Sequence, residues 1–200
     1  KRAKQRNPVA PFTTSTMQQG AVRKLGFTTD RTMRTAQQLY EGMNISEGTV
    51  GLITYMRTDS VALAQEALSE IRTYIQENYS ADYLPEQPIV YKNKSKNAQE
   101  AHEAVRPTSI LRTPDSLKEY LSAEQYKLYE MIWKRTLACQ MTPAKYNTVS
   151  VDLSIVGETH NTFRASGQTL MFAGFISVYL EDVDDSEEED QTRLPVLKQG

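Results

Sequence analysis

Two hundred residues, 39% hydrophobic and 24% charged, make one ordinary globular domain, or one with part of a second, and exclude a wholly disordered chain. No apolar run approaches the roughly 18–20 residues of a membrane span, and the basic start KRAKQRNPVA has neither the apolar stretch of a signal peptide nor an initiator Met. Cys139 is the single cysteine and His102 and His160 are the only histidines, which rules out an internal disulfide and a thiolate–imidazole zinc site and fits a reducing compartment.

In chain order, residues 1–11 read as an extended lead-in, with Pro8 and Pro11 breaking any regular element. Thr13, Thr14 and Ser15 offer N-caps for a helix through Leu25, closed by Gly26. A second helix is expected from Asp30 to Tyr40, with Met33, Ala36, Gln37 and Tyr40 at helical spacing and Gly42 after it. Val50 to Met56 suits a short buried strand. Asp59 and Ser60 open the most regular helical pattern, Val61, Ala64, Leu68, Ile71 and Ile75. Residues 80–97 read as loop. A short helix fits Ala98 to Val105, ended by Pro107, and another begins near Pro114 and Asp115. The capping box Ser122-Ala-Glu-Gln125 starts a helix with the stripe Tyr129, Ile132, Trp133, Thr136 and Leu137.

After Pro143 the period changes to two. Val149, Val151, Leu153 and Ile155 alternate with polar residues, Gly157 marks a turn, Phe163 and Ala165 lie on a returning strand, and Phe175 to Leu180 forms a third. The expectation is an α+β chain: lead-in 1–11, helical body 12–141, and antiparallel β segment 142–200. Charge is divided as unevenly as structure. EDVDDSEEED at 181–190 holds eight acids, leaving 23 basic against 17 acidic residues, a balance of +6, over the other 190. The acidic run reads as a solvated loop, and the basic remainder is compatible with a polyanionic partner.

Tyr55 and Arg57 lie two apart at an expected strand end, so their side chains share one face where the strand hands over to a helix. His102 and Arg106, four apart, would share a face of the short helix. A phenol near cations becomes a competent oxygen nucleophile when positive charge stabilises its phenolate, and guanidinium groups fit phosphate oxygens. Each residue also has an ordinary structural reading: a packed tyrosine, a surface arginine, a satisfied histidine, and for Asp59 a helix N-cap rather than a catalytic carboxylate.

Four ordered segments decide among these. Gly51-Leu-Ile-Thr-Tyr-Met-Arg-Thr-Asp-Ser60 resembles the active-site tyrosine motif of type IA DNA topoisomerases. Pro11-Phe-Thr-Thr-Ser-Thr-Met-Gln-Gln19 is similar to that family's PF-x-TSTLQQ segment, with Met17 in the Leu position. Ala101-His-Glu-Ala-Val-Arg-Pro107 resembles its AHEA-[IV]-RP segment, and Phe163-Arg-Ala-Ser-Gly167 its FRASG strand. The tail Leu194–Gly200 also fits.

The resemblance implies relaxation of negatively supercoiled DNA through a transient single-strand break, without ATP. Tyr55 would become linked to a 5′-phosphate, Arg57 would stabilise charge on the transferring phosphoryl group, and His102 would contact phosphates near the scissile bond. Arg106, Ser15, Thr16 and Gln19 would contact DNA or brace the site, although capping alone equally explains Ser15 and Thr16. The implied cofactor is Mg²⁺, bound by a toprim domain earlier in the family's sequence and outside these residues. On that reading the 200 residues hold the helical tyrosine domain and part of the β-rich arch of a toroidal, cytoplasmic enzyme of the bacterial nucleoid. They would carry the nucleophile without the complete catalytic centre. The implied partners are single-stranded DNA at the cleavage site and the remaining domains, with no membrane. A DNA- or partner-binding module, or a piece of a reverse gyrase, is the alternative.

Overall fold

The computed structural model describes residues 2–92, 102–154 and 162–180. In chain order these form β1 (Arg2–Arg6), α1 (Thr14–Leu25), α2 (Thr29–Glu41), β2 (Met43–Ile45), β3 (Gly48–Val50), α3 (Gln65–Asn78), α4 (Pro114–Leu117), α5 (Ala123–Ala138), β4 (Ala144–Ser154) and β5 (Thr162–Phe172). Helices plus antiparallel sheets make the α+β class expected. One sheet has the order β1-β4-β5, and β2 and β3 form a separate hairpin.

The helix boundaries written most plainly in the sequence hold. Thr13 caps α1 in a capping box with Thr16, and Gly26 ends it in the left-handed conformation at φ 65°. Ser122 and Gln125 form the expected box at the start of α5. All five residues of the α5 stripe are buried, against a core that includes Phe12, Met17, Leu39, Ile71 and Ile75. Helix α2 is rotated from its expected face: Thr32, Thr35, Ala36 and Leu39 are buried, and Tyr40 is 40% exposed. Two threonines can line this face because their hydroxyls donate back to the carbonyls of Thr28 and Arg31.

Five expectations are corrected. The lead-in contains a strand, since Arg2 to Arg6 pair with Thr148 to Ala144 before Pro8 intervenes. Val50 to Met56 is not a strand: only Val50 joins a ladder, in β3, and beyond it the backbone bonds singly to several partners. Asp59 and Ser60 do not open α3, which starts at Gln65 with Ala64 at its N-cap. The hydroxyls of Thr58 and Ser60 accept from the amides of Ser60 and Ala62, and the Ala62 carbonyl accepts from Ala104, so residues 58–62 stay out of a helix. Residues 102–105 are likewise not helical, because the amides of Ala104 and Val105 donate to the Ala62 and Phe12 carbonyls; residues 98–101 lie outside the described residues.

Finally, Phe175 to Leu180 is no third strand. Gly174 to Ser177 form a 3₁₀ turn that buries Phe175 and Tyr179, four residues apart. The buried Arg135 guanidinium stacks over Phe12 and Tyr179, 4.7 and 5.3 Å from the ring centroids, and its Nε donates to the Ala10 carbonyl. The β4–β5 pairing is as expected where described, although Leu153 and its register partner Phe163 are 58% and 63% exposed. The Ile155 and Gly157 expectations and the acidic run 181–190 lie outside the described residues.

Two features of this packing generate measurable consequences. A Cβ at Gly51 would stand 2.7 Å from the Tyr40 carbonyl oxygen, a backbone atom that cannot swing aside. Gly51→Ala is expected to destabilise the fold by about 1–3 kcal/mol, read as a lowered urea midpoint with unchanged m-value; an unchanged midpoint would show that the chain has room there. Burial pushes the Cys139 thiol up to about 12, against smaller opposing effects from Gln140 and Arg135. The folded value lies above the unfolded one, so the neutral thiol costs nothing below the ordinary thiol range and disfavours the fold as pH rises above it. Alkylation of Cys139 at pH 8 should be at least about a thousandfold slower in the native protein than in urea, and comparable rates would contradict the burial.

Candidate active site

Three of the four motif segments meet at one place. Residues 51–54 run antiparallel to residues 104–108: the Thr54 amide donates to the Arg106 carbonyl at 2.9 Å, the Thr108 amide to the Leu52 carbonyl at 2.9 Å, and Ile53 bridges Pro107. The Thr54 hydroxyl donates to the Ala104 carbonyl at 2.7 Å and accepts from the Arg106 amide at 3.0 Å. On the other flank, the Thr14 hydroxyl donates to the Met56 carbonyl at 2.7 Å and accepts from the Thr58 amide at 2.8 Å. The Thr14 amide donates to the Thr58 carbonyl, and Phe12 bridges Val105, so the segments starting at Pro11, Gly51 and Ala101 form one assembly.

Tyr55 sits between the two flanks. Its neighbour Met56 is fully buried, while Tyr55 is 49% exposed and Arg57 is exposed too. The two functional candidates are thus both exposed, flanking the buried Met56, although no ladder runs through them. The Tyr55 ring lies 5.2 Å from the Tyr40 ring, centroid to centroid, at an interplanar angle of 59°. A tilted aromatic pair of this kind contributes about 0.5–1.5 kcal/mol beyond its area. Arg57 is exposed and makes no ion pair or hydrogen bond to the described residues.

The other candidates divide. His102 is exposed, on the extended segment that runs past Ala62 and Thr54. Arg106 does not share a helix face with it, since there is no helix. Its Nε pairs with Glu103 and its Nη1 donates to the Pro107 carbonyl at 2.9 Å, so the guanidinium is largely taken by the protein. Thr16 is spent on capping: its hydroxyl accepts from the Thr13 amide at 2.9 Å. Ser15 is exposed beside Thr13. Gln19, one turn on, accepts from Arg23. Asp59 is exposed and caps no helix. The fourth motif belongs to the sheet, where Arg164 pairs with Asp152 across β4 and β5.

Sequence reasoning missed Thr14, Thr54 and Tyr40. Thr14 and Thr54 stand inside quoted motifs, but a hydroxyl that serves two backbone groups of a distant segment has no local signature. Among the described residues no group of three or more His, Cys, Asp or Glu is gathered to hold a metal ion, so these side chains do not fit a Mg²⁺ site. No described helix is long and apolar enough to cross a membrane.

Comparison with known proteins matches this assembly to one family. The family model described as DNA topoisomerase matches residues 1–200. The DNA topoisomerase 1 of Xylella fastidiosa is 57% identical over 98% of this chain, which spans 24% of that protein. The DNA topoisomerase 1 of Rickettsia felis is 52% identical over the whole chain, which spans 26% of it. The solved structure of full-length topoisomerase I from Thermotoga maritima superposes with a TM-score of 0.77 at 38% identity, over 90% of this chain and 29% of that one. The chain spans about a quarter of the length of the curated relatives it matches. With the tyrosine motif held between two others and the match running from the first residue to the last, this chain belongs to the bacterial, type IA DNA topoisomerase family.

Proposed function

We propose that the protein containing this chain relaxes negatively supercoiled DNA by breaking and resealing one strand, with Tyr55 as the nucleophile. The observation that carries the reading is the exposed Tyr55 two residues from an exposed Arg57 that makes no ion pair or hydrogen bond to the described residues, in a segment bonded on both flanks. The Tyr55 hydroxyl oxygen attacks a backbone phosphorus, the bond from phosphorus to the 3′ oxygen breaks, and the phenolic proton ends on the released 3′-hydroxyl. One phosphodiester replaces another, so the bond energy is nearly conserved and the reverse attack by the 3′-hydroxyl reseals the strand without ATP. Arg57 stabilises the charge spread over the transferring phosphoryl oxygens.

His102 contacts the strand beside the scissile phosphate. Arg106, held by Glu103 and the Pro107 carbonyl, keeps the 102–107 segment in place more than it meets DNA. Ser15 and Gln19 on the first two turns of α1 are the exposed members of the strand-contacting set, with Thr16 behind them as a cap. The Mg²⁺-binding toprim part of the family is supplied by sequence outside these 200 residues, in keeping with the quarter share of the relatives' length.

In the full-length enzyme, Tyr55→Phe is expected to abolish covalent adducts with labelled single-stranded DNA while strand affinity stays within a few-fold, because only the attacking atom is removed. Adducts from this variant would move the nucleophile to another tyrosine. Arg57→Lys cannot reproduce the guanidinium fork and should slow cleavage by about 2–4 kcal/mol in activation free energy. Single-turnover rates and anisotropy titrations separate that from an affinity defect; equal losses in both would make Arg57 a simple strand contact. The 200-residue chain alone should bind strand in a salt-sensitive way without forming adducts.

A further inference from the structure

We propose that Tyr40 is a positioning residue for the Tyr55 phenol, its ring closing one side of the space that the Tyr55 side chain can sweep. The inference rests on the reading of Tyr55 as nucleophile and adds a residue outside the motifs that suggested that reading.

Three observations carry it. First, the rings meet at 5.2 Å and 59°, with Tyr40 40% and Tyr55 49% exposed. A tyrosine that only filled the core would be covered, as Tyr129 is. Second, the two side chains stand on backbone that is tied together. Leu39, fully buried beside Tyr40, accepts from the Leu52 amide at 2.8 Å, and Gly51 passes so close to the Tyr40 carbonyl that a Cβ would lie 2.7 Å from it. Third, the neighbours of Tyr55 are fixed by Thr54 bonded to Ala104 and Arg106 and by the Met56 carbonyl bonded to Thr14, so the remaining freedom of the nucleophile is its own two side-chain torsions. Tyr40 is the aromatic wall that limits those torsions.

The physical requirement is strict. An attacking oxygen must reach within about 3–3.5 Å of phosphorus, in line with the leaving bond, and a half-exposed tyrosine without a wall spends much of its time elsewhere. The ring of Tyr40 supplies the wall and its hydroxyl is not needed. Phenylalanine should therefore serve, whereas leucine, which covers similar area without a rigid plane, should not.

The test uses the full-length enzyme with Tyr40→Phe, Tyr40→Leu, Tyr40→Met and, as control, Tyr55→Phe. Single-turnover adduct formation on a fluorescent single-stranded oligonucleotide is measured beside binding anisotropy and thermal melts. Tyr40→Phe is expected within twofold of the parent in cleavage rate. Tyr40→Leu and Tyr40→Met should be tenfold or more slower with strand affinity changed less than threefold; should leucine at the end of α2 impair folding, the unbranched methionine variant decides. Parent-like cleavage by the leucine and methionine variants overturns the proposal. So does an equal loss in Tyr40→Phe, which would assign the effect to the hydroxyl, and so does a matching loss of affinity, which would make Tyr40 a base-stacking contact. Adducts from Tyr55→Phe would instead overturn the nucleophile reading itself.

Discussion

Two threonine hydroxyls hold this structure's candidate site together. Thr54 and Thr14 each reach backbone carbonyls, Ala104 and Arg106 for Thr54 and Met56 and Thr58 for Thr14, and accept from one backbone amide, of a segment more than forty residues away. A hydroxyl can do both at once through a single atom. Each bond is worth only about 0.5–1.5 kcal/mol net, but leaving the partly buried backbone groups unpaired would cost more. The segment between them therefore needs neither a strand ladder nor a helix, and Tyr55 and Arg57 are left facing outward from an anchored, irregular stretch. The register of that stretch decides which side chains are in and which are out.

The cations around the site are sorted by their partners. Arg106 is spent on Glu103 and a carbonyl, and Arg135 is buried between aromatic rings with its Nε on the Ala10 carbonyl. Arg57 alone of these three stands exposed. The distinction matters for a phosphate-handling site, because a guanidinium already in a bidentate or stacked arrangement must break it before meeting a new anion. Chain position says nothing about this, since Arg57 and Arg106 both stand inside quoted motifs.

Much of the helical frame was legible because its signals are local. Thr13, Gly26, Ser122 and Gln125 act through groups within a few residues, and the α5 stripe reads its own period. Legibility failed where distant backbone competes for the same groups. The runs at 50–56, 58–64 and 102–105 have strand- or helix-compatible patterns, yet their amides and carbonyls bond to one another and to residues 12, 14 and 39. The tail at 175–180 departs from a strand for a related reason: Tyr179 packs on Phe12 and Arg135, and Phe175 is buried in the same core. On the β4–β5 pair the alternation correctly marked strands but not burial, because no described layer covers Leu153 and Phe163.

By itself the sequence determined the α+β class, both ends of α1 and the start of α5, the alternating strands after Pro143, and four motifs whose order identifies the family. It also singled out Tyr55 and Arg57 as a pair two residues apart. Only the tertiary structure decided that three motifs are one assembly, that among the described residues Arg106 has partners and Arg57 has none, and that Tyr40 meets Tyr55 from the end of α2. The reason is the range of the interactions. Caps and periodicity act over a turn of backbone, whereas the Thr14 and Thr54 hydrogen bonds and the Tyr40–Tyr55 contact join residues that only the folded chain brings within reach.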